Sequence, residues 1–186
     1  MISWFGSVRP RSFGALVVIT LAGAISLFLV WPLPQVEAIA GPVLDTRFMA
    51  SGSDAADYLE TLGPEGRRLY TAFAVGDLVW AIVHGLTLAI GIAVGVRRSA
   101  LDDRVGVLAV FGLAYLVLDV AENSSVLAAL GAHPGRPPVP AIVLDLLTSA
   151  KFVALGLAYA ALVVALVAWA RARRTGSGAA GPPGPA

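Results

Sequence analysis

The chain contains no cysteine, so disulfides, thiolate nucleophiles, iron–sulfur clusters and thiolate zinc sites are all excluded. Charge is also scarce. Only 13% of its 186 residues are Asp, Glu, Lys or Arg, against about 25% in an ordinary soluble domain. Hydrophobic residues make up 58%, and the mean hydropathy is +0.81. This is the composition of an integral membrane protein. Lysine is nearly absent, with Lys151 the single example, and the remaining basic residues are arginine. Arginine in place of lysine, with abundant Ala, Gly and Val, points to a high-GC bacterial genome. No basic face with interleaved aromatics is found, which argues against a nucleic-acid partner.

What is present is four long apolar segments, roughly residues 13–31, 69–96, 105–130 and 141–170. Each reaches about the 20 residues that a helix needs to cross a bilayer. They are separated by Pro32 and Pro34, by the polar run 97–104, and by the Pro- and Gly-rich run 131–140. The pattern predicts an all-α fold, a four-helix transmembrane bundle forming one domain over residues 1–174, with a disordered cytoplasmic tail at 175–186. Orientation follows from arginine near the helix ends. The N-terminal tail, the 97–104 loop and the C-terminal tail together carry a net charge of +6, and the opposite side −2. Both termini are therefore expected in the cytoplasm, with the protein in the bacterial plasma membrane. Ala38-Ile39-Ala40 resembles a signal-peptide cleavage site, but the apolar run before it is 19 residues, longer than the usual ~7–15. A retained first helix is the reading preferred here.

The first outer segment, 32–68, is the one sizeable region predicted outside the membrane. Ser53 can cap a short helix whose Ala55, Tyr58, Leu59 and Leu62 share one face, with Gly63 as its stop and Pro64 in the first turn of the next helix. The expectation is an interfacial helix with its apolar face toward lipid, acting as a lid or as a simple connector. Trp31 and Trp169 sit at helix ends as interface anchors, and Gly91 with Gly95 allows a close helix crossing.

The informative residues are polar ones inside the apolar segments. Tyr115, Asp119, Glu122 and Asn123 fall on one face of the third segment at 100° per residue. Counted from Leu69, Leu130 and Pro140 at the outer ends, Asp77 lies eight residues deep, Glu122 eight, Asn123 seven, Asp119 eleven, Asp145 five, Thr148 eight and Lys151 eleven. Three helices thus place polar side chains at one level, about 12 Å below the outer boundary. An ionised group at mid-bilayer costs ~2.5–3.5 kcal/mol on insertion scales, so these groups must compensate one another. Lys151 supplies one full positive charge against Asp77, Asp119, Glu122 and Asp145, a net of −3. At least one carboxyl must then carry a proton, or a cation must bind.

Asp77, Asp119, Glu122 and Lys151 are the candidate catalytic residues, with Trp80, His84, Tyr115, Asn123, Asp145 and Thr148 as candidate ligand-binding residues. A carboxylic acid kept neutral by apolar surroundings is a proton donor suited to a small apolar or lipid-like ligand. Trp80 and His84 follow Asp77 at one and two turns and extend a polar track inward, unless His84 is an ordinary core histidine. A proton- or cation-coupled transport component uses the same groups, but the chain has no inverted repeat. Metal ligation lacks the Glu-x-x-His pairs of di-iron bundles, and neither a metal nor a cofactor is called for. Interhelical glue in a structural membrane subunit is the bland alternative, of comparable weight to the functional ones. The bilayer is the expected partner, and homo-oligomerisation stays open.

The order Gly66-Arg67-x-x-Tyr70, Asp77, Asp119-x-x-Glu122-Asn123, Thr148-x-x-Lys151 resembles an uncharacterised family of small four-helix bacterial integral membrane proteins. The resemblance covers the chain from about residue 55 onward. It implies that these polar residues belong to one set, and it brings no activity with it.

Overall fold

In the structure, a computed structural model describing residues 10–44, 52–99, 101–135 and 140–177, the fold is all-helical, with no strand among the described residues. Helix α1 is Pro10–Ala24, and its winding continues as a π-helical stretch over Ile25–Val30. Helix α2 is Leu33–Ala40, α3 Gly52–Thr61 and α4 Gly63–Arg97. A 3₁₀ turn at Asp103–Ala109 leads into α5, Val110–Ala132, and α6 is Ala141–Ser177. Four helical stretches are long and apolar enough to cross a membrane: Ser12–Ala40, Gly63–Arg97, Asp103–Ala132 and Ile142–Arg174.

The boundaries follow from local chemistry. Pro32 and Pro34 interrupt the winding after Val30, where a break is expected. Because proline suits a first helical turn, they also start α2, which the apolar pattern alone does not reveal. The α3–α4 joint is a single turn at Leu62. Gly63 adopts φ +61°, a left-handed conformation that a side chain would disfavour, and Pro64 follows in the first turn of α4. Helix α4 thus starts six residues before the apolar segment does. Before α5, Asp102 caps the 3₁₀ turn by accepting from the Arg104 N–H at 2.8 Å. Helix α6 runs three residues into the expected tail, and residues 178–186 lie outside the described residues.

Helix α4 is the axis of the bundle. Of its most apolar window 72% is buried, against 33% for α5, 22% for α6 and 6% for α1. It packs against α1, α5 and α6, and α5 and α6 also pack on each other. The outward faces are apolar, with Val18, Ile19 and Leu21 of α1, Leu29 of the π-helical stretch, Val75 and Val79 of α4, and Val153, Val163 and Val164 of α6 all at least half exposed.

Glycine sets the closest crossing. A Cβ on Gly85 would lie 2.6 Å from Leu116 Cβ and 2.9 Å from the Gly112 carbonyl, and one on Gly112 would lie 2.7 Å from the Ala89 nitrogen. Helices α4 and α5 therefore touch backbone to backbone. The Gly91 and Gly95 step faces α6, where a Cβ on Gly95 would stand 2.9 Å from Ala165 Cβ.

The apolar face of α3 does not present itself to a surrounding interface. Ala55, Tyr58, Leu59 and Leu62 are buried in a cluster with Leu33 and Val36 of α2, Val43 and Leu44, and Tyr70 and Phe73 of α4. Tyr58 meets Tyr70 edge-on with ring centroids 5.9 Å apart. Helices α2 and α4 supply its apolar partners, so the face is satisfied internally. Helix α3 is a packed cap over one end. At the other end Trp169 is flanked by the guanidinium groups of Arg98 and Arg173, at 5.6 and 4.7 Å from its ring centroid.

Candidate functional site

The capping cluster of α2, α3, Tyr70, Phe73, Val126 and Leu144 is one apolar block, and two others surround Leu88, Ala89, Ala158 and Ala161 nearer the opposite end. Between them, in chain order along each of α4, α5 and α6, lie the polar residues. The level derived by counting residues is therefore a physical layer, closed by hydrocarbon on both sides.

Within it the side chains are joined across helices. Asn123 of α5 donates from Nδ2 to Asp77 Oδ2 of α4 at 3.0 Å, and to the carbonyl and Oδ1 of Asp119 at 3.1 and 3.2 Å. Lys151 of α6 pairs with Asp119 Oδ1 at 3.3 Å and also with the Glu122 carboxylate, on whose other oxygen the Thr148 hydroxyl donates. Spacing explains the convergence. Asp119, Glu122 and Asn123 occupy the i, i+3, i+4 face of α5, and Thr148 and Lys151 the i, i+3 face of α6. The burial is nearly complete: Asp77 is 3% exposed, Asp119 2%, Glu122 0% and Lys151 6%. Two carboxyls thus share one ammonium, and Asp77 joins them through Asn123, in a layer closed by apolar side chains on both sides.

A second group adjoins the first. His84 Nδ1 is 3.2 Å from the Tyr115 hydroxyl, and its Nε2 is 2.9 Å from the Tyr159 hydroxyl of α6. The two groups adjoin on α5, where Tyr115 lies one turn before Asp119. The Trp80 ring lies 4.3 Å from the His84 ring at an interplanar angle of 36°. Its indole N–H donates to the Thr20 carbonyl of α1 at 2.9 Å, so α1 helps to hold the histidine in place.

Of the ten residues picked from the sequence, nine fall in these two groups or against them. Asp145 does not. It is half-buried and makes no hydrogen bond or ion pair with a described residue. It lies about 120° around the helix from Lys151, away from the paired carboxyls. The sequence reading missed Tyr159, eight residues after Lys151 and so about 80° around α6 from it, at the rim of the inward face. A tyrosine in an apolar helix two turns from an ion-paired lysine was the available signal. The Thr20–Thr87 hydroxyl pair at 3.0 Å, tying α1 to α4, was also missed.

Three clefts lie elsewhere. One, of about 340 Å³, is at the arginine-rich end beside Arg97 and Arg104. Another, of about 190 Å³, lies between Leu59, Glu60 and His133, and the third is an open apolar groove of about 440 Å³ between α5 and α6. None of these three is lined by a member of the polar layer. Comparison of the chain with protein-family models, curated proteins and solved structures gives no match to any of the three.

Proposed function

We propose that the chain is a multi-pass protein of the bacterial plasma membrane, with both termini in the cytoplasm, whose buried carboxyl layer is an intramembrane acid–base centre for a small or lipid-like molecule. The observation that carries this reading is the sharing of one ammonium, that of Lys151, by the buried carboxyls Asp119 and Glu122, with Asp77 bonded into the same layer through Asn123. Three ionised carboxylates around one cation would leave two negative charges in hydrocarbon. A medium of low dielectric disfavours that strongly, so the layer takes up protons. A stored proton beside an ionised neighbour is the arrangement that general acid–base chemistry needs.

A second reading has an observation of its own. Each of the strong contacts runs between different helices, as interhelical glue would. Infrared spectroscopy of the purified protein in lipid separates the two. The acid–base reading expects a carboxylic-acid C=O band at neutral pH that is lost or displaced in Glu122→Gln or Asp77→Asn. Carboxyls that are all ionised in the native protein, with no such band, leave the layer as glue.

A further inference from the structure

The charges at the arginine-rich end are divided between two places. Arg98 turns to α6, where it and Arg173 flank the Trp169 ring. Arg97 and Arg104 instead line the cleft of about 340 Å³, and Asp103 lines it with them. The volume is within the ~300–1,000 Å³ of small-molecule sites. The cleft lies where the 3₁₀ turn packs beside the last turns of α4. Ala93, Val96 and Arg97 share the i, i+3, i+4 face of α4, so this wall changes from apolar to charged at its end. Across it Val107, 55% exposed, continues the apolar surface outward, and Asp103 and Arg104 precede it at the charged rim. Asp102 is engaged in capping the turn, which leaves Asp103 as the carboxylate of the cleft.

The rim has a definite level. One apolar span ends at Arg97 and the next begins at Asp103, and Trp169 stands half-buried at the same end of α6, the place of an interface anchor. With the four spans in a bilayer, the three charged groups lie at headgroup depth and the apolar wall lies beside the acyl chains. A ligand that satisfies both parts is amphiphilic.

We propose that this cleft binds a phosphoethanolamine lipid, with its phosphate on Arg97 and Arg104, its ammonium on Asp103 and an acyl chain against Ala93, Val96 and Val107. The headgroup class follows from the charges. Two guanidinium groups suit the oxygens of one phosphate, and charge-assisted hydrogen bonds to it are the strong ones. A headgroup carrying phosphate alone would set its negative charge beside Asp103 with nothing to offset it, which selects against that class. A primary ammonium offsets it and donates hydrogen bonds to the carboxylate, whereas a quaternary ammonium has no N–H to donate. A soluble phosphoethanolamine would leave the apolar wall uncovered, so the lipid is the ligand.

The protein in detergent is titrated with phosphatidylethanolamine, phosphatidylcholine and phosphatidylglycerol of identical acyl chains, and with soluble phosphoethanolamine, and bound molecules are counted by native mass spectrometry. The ethanolamine lipid is expected to bind about three- to tenfold more tightly than the choline lipid and at least as tightly as the glycerol lipid, the order of one partly exposed charged contact. Soluble phosphoethanolamine should bind far more weakly. Arg97→Gln and Arg104→Gln should each weaken the ethanolamine lipid severalfold, while Arg174→Gln, at an exposed position of the same end outside the cleft, should not. Asp103→Asn should erase the preference for ethanolamine over choline and tighten the glycerol lipid, a gain that a damaged fold does not produce. Equal binding of the ethanolamine and choline lipids, or a preference for the glycerol lipid, overturns the proposal on the native protein alone. Unchanged binding in both cleft arginine variants overturns it as well, and soluble phosphoethanolamine binding as tightly as the lipid overturns the lipid as ligand. The carboxyl layer takes no part in these measurements, so their failure leaves the acid–base reading standing.

Discussion

Lys151 is the residue whose loss tests the energetics of the layer most directly. Its ammonium pairs with both Asp119 and Glu122, and all three side chains are 7% exposed or less, so solvent screening does little to weaken the contacts. Replacing it by methionine keeps most of the volume and removes the charge. Taking one partner from a buried ion pair costs about 3–5 kcal/mol, because the remaining charge is stranded. For a chain of this size each kcal/mol is worth about 2–4 °C in the unfolding midpoint, so Lys151→Met should lower it by roughly 6–20 °C. The second half of the prediction concerns compensation. Adding Glu122→Gln and Asp119→Asn to Lys151→Met removes the stranded charges, and the triple variant should recover most of the lost stability. Thermal unfolding of all variants in one detergent, followed by circular dichroism, provides the comparison. If Lys151→Met unfolds with the native protein, or if the triple variant is no better than the single one, the contacts drawn here do not govern stability.

The glycine crossings give a sharper steric contrast. Gly85→Ala and Gly112→Ala should each cost about 1–3 kcal/mol, since the added Cβ meets backbone or a Cβ that cannot turn aside. Gly156→Ala, with open space at its Cβ, should be neutral or gain up to about 1 kcal/mol from helix propensity. The same unfolding assay ranks the three, and equal effects would mean that α4 and α5 do not cross at Gly85 and Gly112. Topology is open to a direct test because the native chain has no cysteine to remove. A single cysteine at Arg104 or Arg174 should react with an impermeant maleimide only after the cells are opened, and one at Glu60 should react in intact cells. The reverse pattern would invert the orientation.

The features legible in the sequence are those that vary along a helix axis. Depth is linear in residue number at 1.5 Å per residue, so counting from the ends of apolar segments was enough to place Asp77, Glu122, Asn123 and Thr148 at one level. The bonds Asn123–Asp77 and Thr148–Glu122 show that level as contact. Run length and composition pointed to the helical class, since apolar runs of about 20 residues match a bilayer-crossing helix and are far longer than a barrel strand.

Rotation about the axis, and the choice of neighbours, belonged to the tertiary structure. Which helix lies at the centre is decided by where small residues permit backbone contact, and Gly85 against Gly112 and Gly95 against Ala165 make it α4. That arrangement fixes how far each side chain must reach. It brings Lys151 to Asp119 and Glu122 together, turns Asp145 aside and carries Tyr159 round to His84. It also folds α3 back onto α2 and Tyr70, so that a face readable as lipid-seeking found its apolar partner within the protein. A periodic sequence specifies that a helix has an apolar or polar face, whereas the packing of the other helices determines what that face meets.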